Sequence, residues 1–480
     1  MSPDLLPYRF RWVFCQLEVL RHCLPASIRQ TLDQLPESLD ATYLHVLSQI
    51  PQANQAHAHR LLQCLMVAVR PLSVEELAEV LAFEFAAQGV IPKYRVAWQL
   101  DNQTEAVLST CSSLVAIVIE RWTGRQVVQF SHFSVKEFLM SNRLGNFSRY
   151  HIHPISAHTI LTQACLGVLL HLDDRTRANG LPLAEYAAQH WVAHARFEDV
   201  ASRVKDGMET LFDSDKPHFA AWVKIYDMDY NYSWRFSTQV RTFPEPEQVP
   251  LKPKPNPLYY SVLCGFYDLT KHLAIKRPQH VNAISGIRIF PLLVALCEEN
   301  IELVELLLEL GANVDARDTT GETILLRAFS LFPRLDLYSI VRLLVKYGAD
   351  LNARDKSLRS SLHLAEYTGW LEVAEMLVKH QADVNSQDNN GKTPLHILSE
   401  CGTNNEDDVL KHARLLLEHG AEVNRRDNNG MSPLRILLER QICEKGYVGD
   451  SLDFMTLWEH GAKINKPLHL ETGTGMYEFA

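Results

Sequence analysis

The sequence predicts a mainly α protein. A solenoid of stacked two-helix units fills the C-terminal part, behind a small α+β domain and a helical domain. Three observations predict it. A five-residue string recurs at near-constant intervals in the C-terminal part, and a second string keeps step with it. The first half shows helical periodicity interrupted by one pair of strand-like runs.

The first string is Gly311-Ala-Asn-Val-Asp315. It returns at Gly348–Asn352, Gln381–Asn385, Gly420–Asn424 and Gly461–Asn465, at intervals of 37, 33, 39 and 41 residues. The second string is Thr323-Ile-Leu-Leu, then Ser360-Ser-Leu-His, Thr393-Pro-Leu-His and Ser432-Pro-Leu-Arg. Two weaker units precede these, with Asn256-Pro-Leu-Tyr and Phe290-Pro-Leu-Leu, and Val281-Asn282 closes the first.

Each position has a physical task. Asp388-Asn-Asn-Gly391 is a turn signal with Gly where a positive φ is needed. Thr393-Pro394 opens a helix, as N-cap and first-turn residue. Leu395 and Leu398 give the inner helix its apolar stripe, and Ala413, Leu416 and Leu417 give one to the outer helix. Gly420 stops the outer helix in the left-handed conformation. A unit of this kind buries its apolar face only on its neighbours, so such units stack.

These residues resemble the ankyrin repeat, and about six units span residues 256–468. Departures stand at Leu358 in place of the turn Gly, Gln381 in place of the stop Gly, and Arg435 in place of His. Insertions lengthen units near Leu331–Asp336, Gly402–Asp408 and Cys443–Asp450. Residues 469–480 are expected as a tail. Gly391-Lys392-Thr393 imitates the end of a phosphate-binding loop, but Ser386 occupies the place of its earlier Gly and no hydrophobic strand precedes it.

In the first half, Phe10, Val13, Phe14 and Leu17 mark one helical face, and Leu39, Tyr43, Val46 and Leu47 another. Ser73-Val-Glu-Glu76 has the form of a capping box opening a helix with Leu77, Val80 and Leu81 inward. Runs at Ser113–Ile119 and Gln126–Ser131 read as strands joined by a hairpin at Trp122–Arg125. Ser134 is expected to begin the next helix. This succession gives a winged-helix-like domain over 55–150. A helical domain over 151–240 follows, with Leu161, Cys165, Val168 and Leu169 on one stripe and Ala187, Ala188, Trp191 and Val192 on the next. Trp191, Phe197, Trp222 and Trp234 are read as core. Six prolines among residues 243–257 make 241–255 a semi-rigid linker; Pro250-x-x-Pro253 is also the form of an SH3 ligand.

Phe10–Leu17, Leu35-Pro-Glu-Ser-Leu-Asp-Ala-Thr-Tyr43, Arg70–Leu77, Phe130-Ser-His-Phe-Ser-Val-Lys-Glu-Phe138 and Pro182–Trp191 resemble the segment after the NTPase core in fungal NACHT–ankyrin proteins, relatives of immune receptors. The resemblance covers roughly residues 8–230. It implies that residues 1–54 are the helical segment following a NACHT core. No Walker A pattern occurs in the 480 residues, so the chain is either a truncated relative or begins upstream in the true transcript. In such receptors a winged-helix His touches the phosphates of bound ADP; the matching residue here is His132. Without the phosphate-binding loop, a structural role for His132 is the expectation.

Composition bounds the function. Apolar residues make up 46% and charged residues 22%, the balance of a folded soluble chain, and the length suits two to four domains. The net charge of −10 argues against a general nucleic-acid binder. A winged helix can read DNA, and Arg70, Arg121 and Arg125 are available, but Glu75, Glu76 and Glu79 would repel phosphate.

The nine cysteines form no CxxC pair and are read as reduced thiols. His151, His153 and His158 are close in sequence to one another, and His190 and His194 stand at i, i+4, but without an HExxH pattern. No nucleophile elbow or acid–base pair appears, so no catalytic residue and no cofactor is implied. No apolar run approaches the ~20 residues of a membrane span, and the N-terminus lacks a signal-peptide core. A cytoplasmic, non-catalytic protein is the expectation.

The first reading is therefore a scaffold that binds a protein partner through the repeat turn tips: Arg317, Asp318 and Thr320; Arg354, Asp355 and Lys356; Asp388, Asn389 and Asn390; Arg426, Asn428 and Asn429. No nucleic acid or membrane is expected as partner, and self-association is left open. The alternative is a regulatory piece of a nucleotide-switched signalling ATPase in fungal non-self recognition or cell death, which implies nucleotide sensing at His132.

Overall fold

The computed structural model describes residues 38–85, 90–99, 102–121, 123–172, 180–230, 255–286, 289–331, 337–401, 406–445, 456–457, 459–463, 470–472 and 475–477. They divide into two compact units, Met1–Val249 and Pro250–Ala480. The face at Phe10–Leu17, Trp234 and the proline-rich linker lie outside the described residues.

In the first unit, helix α1 (Leu39–Gln49) starts at Ser38, whose hydroxyl accepts from the backbone N–H of Ala41, and buries Tyr43, Val46 and Leu47. Helix α2 (Gln55–Val67) leads to strand β1 (Leu72–Ser73) and helix α3 (Val74–Glu79). The expected capping box is present: Ser73 Oγ accepts from Glu76 N–H at 3.1 Å, and the Glu76 carboxylate accepts from Ser73 N–H at 2.7 Å. Leu81, expected inward, is only half-buried, because the chain leaves the helix through a 3₁₀ turn at Val80–Ala82.

Strands β2 (Phe83–Glu84) and β3 (Lys93–Tyr94) form a small separate ribbon. Helix α4 (Gln103–Cys111) then precedes β4 (Val115–Ile119) and β5 (Gln126–Phe130). These pair antiparallel, with β1 added on the far side of β5, so the sheet order is β1-β5-β4. Gly124 in the intervening turn has φ +69°, which glycine adopts without a Cβ clash. Helices crossed by a short strand and closed by a hairpin make a winged helix.

Helix α5 (Phe133–Leu139) begins one residue before the expected Ser134. His132 is its N-cap, and its Nδ1 accepts from Ser134 N–H. Helix α6 (Pro154–Leu169) is almost wholly buried and packs on both α2 and α7 (Ala184–Ala195). The expected boundary near residue 150 therefore lies inside one compact unit. Helices α8 (Val200–Arg203), α9 (Lys205–Leu211) and α10 (His218–Ile225) complete it. Trp191 and Trp222, both 0% exposed, meet edge to face at 5.4 Å. Phe197 is half-buried and stacks on His158, so it borders this core instead of filling it.

The second unit is a stack of helical hairpins. The pairs are α11 (Pro257–Leu263) with α12 (Tyr267–Lys276), and α13 (Pro291–Cys297) with α14 (Ile301–Glu309). Then come α15 (Ile324–Leu331) with α16 (Leu337–Lys346), and α17 (Ser361–Thr368) with α18 (Leu371–Lys379). Helices α19 (Pro394–Cys401) and α20 (Glu406–Glu418) make the fifth pair, and α21 (Pro433–Lys445) opens a sixth.

Inner helices pack on inner helices of the next unit, and outer on outer. Leu303, Val304 and Leu307 are 0% exposed, with α14 packed on α13 of its own unit and on the outer helices of both neighbours. Burial of each such side chain stabilises by about 1.5–3 kcal/mol. Two expectations change. Glu406–Asp408 and Cys443–Lys445, read as insertions, lie in α20 and α21. The expected tail contains an antiparallel ribbon, β6 (Leu470–Thr472) with β7 (Gly475–Tyr477).

Candidate functional site

The repeat turns line up as a ridge, and one aspartate builds each of the four turns from Asp318 to Asp427. Asp318 Oδ1 accepts from the N–H groups of Thr320 (2.8 Å) and Glu322 (3.1 Å). Asp355 does so from Ser357 and Arg359, both at 2.8 Å, and Asp388 from Asn390 and Lys392, also at 2.8 Å. Asp427 repeats the pattern with Asn429 and Met431. Asp355 and Asp388 are 8% and 9% exposed. These carboxylates hold the turn, so Asp318, Asp355 and Asp388, expected as partner contacts, are structural.

Neighbouring tips are stitched to one another. Asn389 donates from Nδ2 to the Lys356 carbonyl at 3.1 Å, and Asn428 to the Asn389 carbonyl at 3.0 Å. The backbone N–H of Asn389 reaches Ser357 O, and that of Asn428 reaches Asn390 O. A Cβ on Gly391, which has φ +73°, would lie 2.5 Å from Asn428 Oδ1, so this Gly serves both its own turn and the close approach of the next. Arg354 donates to the Gln387 carbonyl of the next unit.

Behind the tips, buried His363 and His396 each accept at Nδ1 from the backbone N–H three residues earlier and face a next-unit carbonyl with Nε2, Lys392 O at 3.0 Å and Met431 O at 3.2 Å. Burial holds both imidazoles below the usual histidine range, which keeps the neutral Nε2–H tautomer this requires.

A second ladder uses the last residue of the first sequence string. Asn282 accepts from Asn313 N–H and donates to Gly311 O, at 2.8 and 2.9 Å. Asn385 does the same with Glu422 N–H and Gly420 O, and Asn424 with Lys463 N–H and Gly461 O. Asp315 accepts from Asp350 N–H but has no amide to donate.

Of the expected contact residues, Arg317, Lys356, Asn389, Asn390, Arg426, Asn428 and Asn429 are exposed on this ridge, while Thr320 and Arg354 are half-buried. Two of the departures from the repeat pattern adopt the left-handed conformation that glycine favours: Leu358 at φ +59° and Gln381 at φ +68°. On the opposite, outer-helix side lies an open groove of about 1150 Å³, lined by Tyr338, Arg342, Lys346, Glu372, Glu375 and others.

The other expected residues are tied into the fold. His132 Nδ1 contacts Ser134 Oγ at 2.6 Å, and Ser134 Oγ contacts the Tyr43 hydroxyl at 2.8 Å, which joins α5 to α1. Arg70 forms a bidentate pair with Glu76 (2.6 and 2.8 Å) and lies over the Tyr186 ring. Glu76 and Glu79 are buried. The DNA-reading arrangement therefore loses Arg70, and those two carboxylates face inward instead of toward a phosphate.

Within the first histidine group His151 Nδ1 lies 3.1 Å from His153 Nε2. A contact the sequence did not point to joins the two groups, with His158 Nδ1 3.0 Å from His194 Nδ1 and His194 Nε2 2.8 Å from the Tyr186 hydroxyl. Burial, reinforced by the neighbouring histidines, pushes His194 down to about 3. Among the described residues no group of three metal-ligating side chains assembles, and no helix is long and apolar enough to cross a membrane. Gly391-Lys392-Thr393 sits in the repeat turn ahead of α19.

With this geometry in place, known proteins supply the class. The ankyrin repeat family (3 copies) matches residues 258–355 and 336–427, and the winged helix domain of GPI inositol-deacylase matches residues 47–152. The chain therefore carries ankyrin repeats behind a winged helix of that type. The azaphilone pigments biosynthesis cluster protein L of Monascus ruber is 27% identical over 300 residues, 59% of this chain and 61% of that protein. The ankyrin repeat and SAM domain-containing protein 6 of Mus musculus is 33% identical over 101 residues, 21% of this chain and 11% of that one. This chain thus spans about three fifths of the first relative and a tenth of the second. A solved ankyrin repeat domain from Acinetobacter baumannii is 26% identical, covers 43% of this chain and 98% of its own, and has a TM-score of 0.38.

Proposed function

We propose that this chain is a non-catalytic interaction protein that binds a protein partner in the cytoplasm through its ankyrin tips. The observation that carries it is the continuous ridge: turns stitched laterally by Asn389 and Asn428 hold Lys356, Asn390, Arg426 and Asn429 outward on a rigid base. Preorganised exposed groups bind without the cost of ordering a loop.

A photo-crosslinking amino acid placed at Lys356 or Asn429 should give one discrete protein adduct in the source cells, and the same group at Tyr338 should not. Adducts at Tyr338 alone would move the site to the outer-helix groove. Replacing Lys356, Asn390, Arg426 and Asn429 together with Ala should abolish the adduct formed from a probe at Arg317 while Tm stays within about 2 °C, because exposed positions away from caps and cores change stability little.

The finer resemblance, to fungal NACHT–ankyrin proteins, is proposed on the succession of winged helix, helical segment and ankyrin repeats in one chain. In that reading the repeats sense a ligand and the winged helix restrains a nucleotide switch. The purified chain should not hydrolyse ATP or GTP; turnover lost on His132→Ala would overturn this.

A further inference from the structure

We propose that the tip ridge takes an acidic, extended polypeptide segment carrying one apolar residue, with Leu358 as the anchor for that residue. The proposal rests on the reading of the ankyrin tips as the binding face and names the chemistry of the partner.

The first observation is charge. Within the described tips 316–322, 353–359, 386–392 and 425–431, every exposed charged side chain is cationic: Arg317, Lys356, Arg425 and Arg426. Arg425 is paired with Glu422, and the turn aspartates are committed to backbone amides. This row stands out on a chain with net charge −10.

The second observation is strain. Leu358 occupies a turn position that Gly321, Gly391 and Gly430 occupy in the other units, all at positive φ. A leucine there suffers the clash between Cβ and the carbonyl that glycine avoids. Its side chain is 44% exposed, so it recovers little through packing. A strained, exposed leucine beside Lys356 gains its free energy from a contact the isolated chain does not make.

Spacing fixes the form of the partner. Stacked helices lie about 10 Å apart, and an extended chain advances about 3.3 Å per residue. A strand laid along the ridge therefore meets a new tip at about every third residue, and about nine residues reach from Arg317 to Arg426. Nucleic acid fits less well, since these tips carry no aromatic side chain on which a base could stack.

The test uses the full chain and a labelled twelve-residue peptide with Glu at every third position, one central Leu, and Gly or Ala elsewhere, read by fluorescence anisotropy. The Arg317→Ser/Lys356→Ser/Arg426→Ser variant should bind at least about tenfold more weakly, and wild-type binding should weaken as salt is raised. Leu358→Gly should weaken binding about tenfold while raising Tm, a combination that a purely structural leucine cannot give.

Equal binding of a peptide with the same glutamates in one block would overturn the proposal. So would unchanged affinity in the triple variant, a lower Tm for Leu358→Gly, or tighter tip-dependent binding of a single-stranded oligonucleotide. Failure of the peptide with tip crosslinks intact removes the acidic partner and leaves the interaction surface standing; failure of both removes both.

Discussion

At Glu79 a carboxyl only 5% exposed accepts from the backbone N–H of Leu183 at 2.6 Å and from the Tyr94 hydroxyl at 3.1 Å. Burial pushes it up from 4.5 to about 7, against the pull of those two donors. The folded state thus holds a proton that the unfolded chain releases near pH 4.5. The contribution of this group to stability is complete below pH 4.5 and is lost as pH rises toward 7. Glu79→Gln keeps the shape and cannot ionise. Relative to that variant, wild type should lose on the order of 3 kcal/mol between pH 4.5 and 7.5, read by urea unfolding at each pH. A parallel pair of stability curves would show that the carboxyl is solvated.

Part of the residue scale was legible in the sequence. Gly391, Gly420 and the Ser73 box were read from local rules and stand as read, because a positive φ or a cap needs only a few consecutive residues. The turn aspartates were misread, since a run such as Asp388-Asn-Asn-Gly391 does not tell whether the carboxylate faces a partner or its own amides.

Between elements, Glu366 of α17 and His412 of α20 face each other at 2.7 Å, both 0% exposed, across the joint of the fourth and fifth units. Burial pushes the Glu366 carboxyl up, and the hydrogen bond to His412 opposes that shift. Among the described residues Glu366 Oε1 and His412 Nε2 meet no hydrogen-bond partner. Removing one member leaves the other alone in the core, which costs about 3–5 kcal/mol. His412→Leu should therefore destabilise the array by roughly that amount, and Glu366→Leu/His412→Leu should recover most of it, as read in chemical denaturation. A double variant as unstable as the single would show that packing, not the pair, governs the joint.

Nothing in the sequence pointed to this pair, because its members stand 46 residues apart on faces that periodicity marks only as helical. The same holds for the ladder of Asn282, Asn385 and Asn424: the recurrence of the string was plain, but a donor and acceptor reaching into the next unit is a property of the stack.

For the whole molecule, two compact units with separate cores predict two unfolding events. With Trp370 and Trp458 of the repeats replaced by Phe, the remaining tryptophans, Trp191 and Trp222 among them, report on the first unit. In a thermal scan His412→Leu should lower the transition of the repeats and leave the tryptophan-reported transition of the first unit in place; movement of both together would show that the units unfold as one. The order of helices and the wing were legible at this scale because each rests on many residues in register. The continuity of α6 between the winged helix and α7 was not, since a strongly apolar helix reads alike at a domain's edge and at its centre.

The missing amide at Asp315 also bears on mechanics. Joints whose asparagine returns two backbone bonds to its neighbour resist being prised open from either side, whereas among the described residues the seams of Asp315 with Asp350 and of Asn352 with Asp383 each hold by one. Tugged at its ends, the stack would part first at one of these two adjoining seams, splitting into a leading and a trailing block.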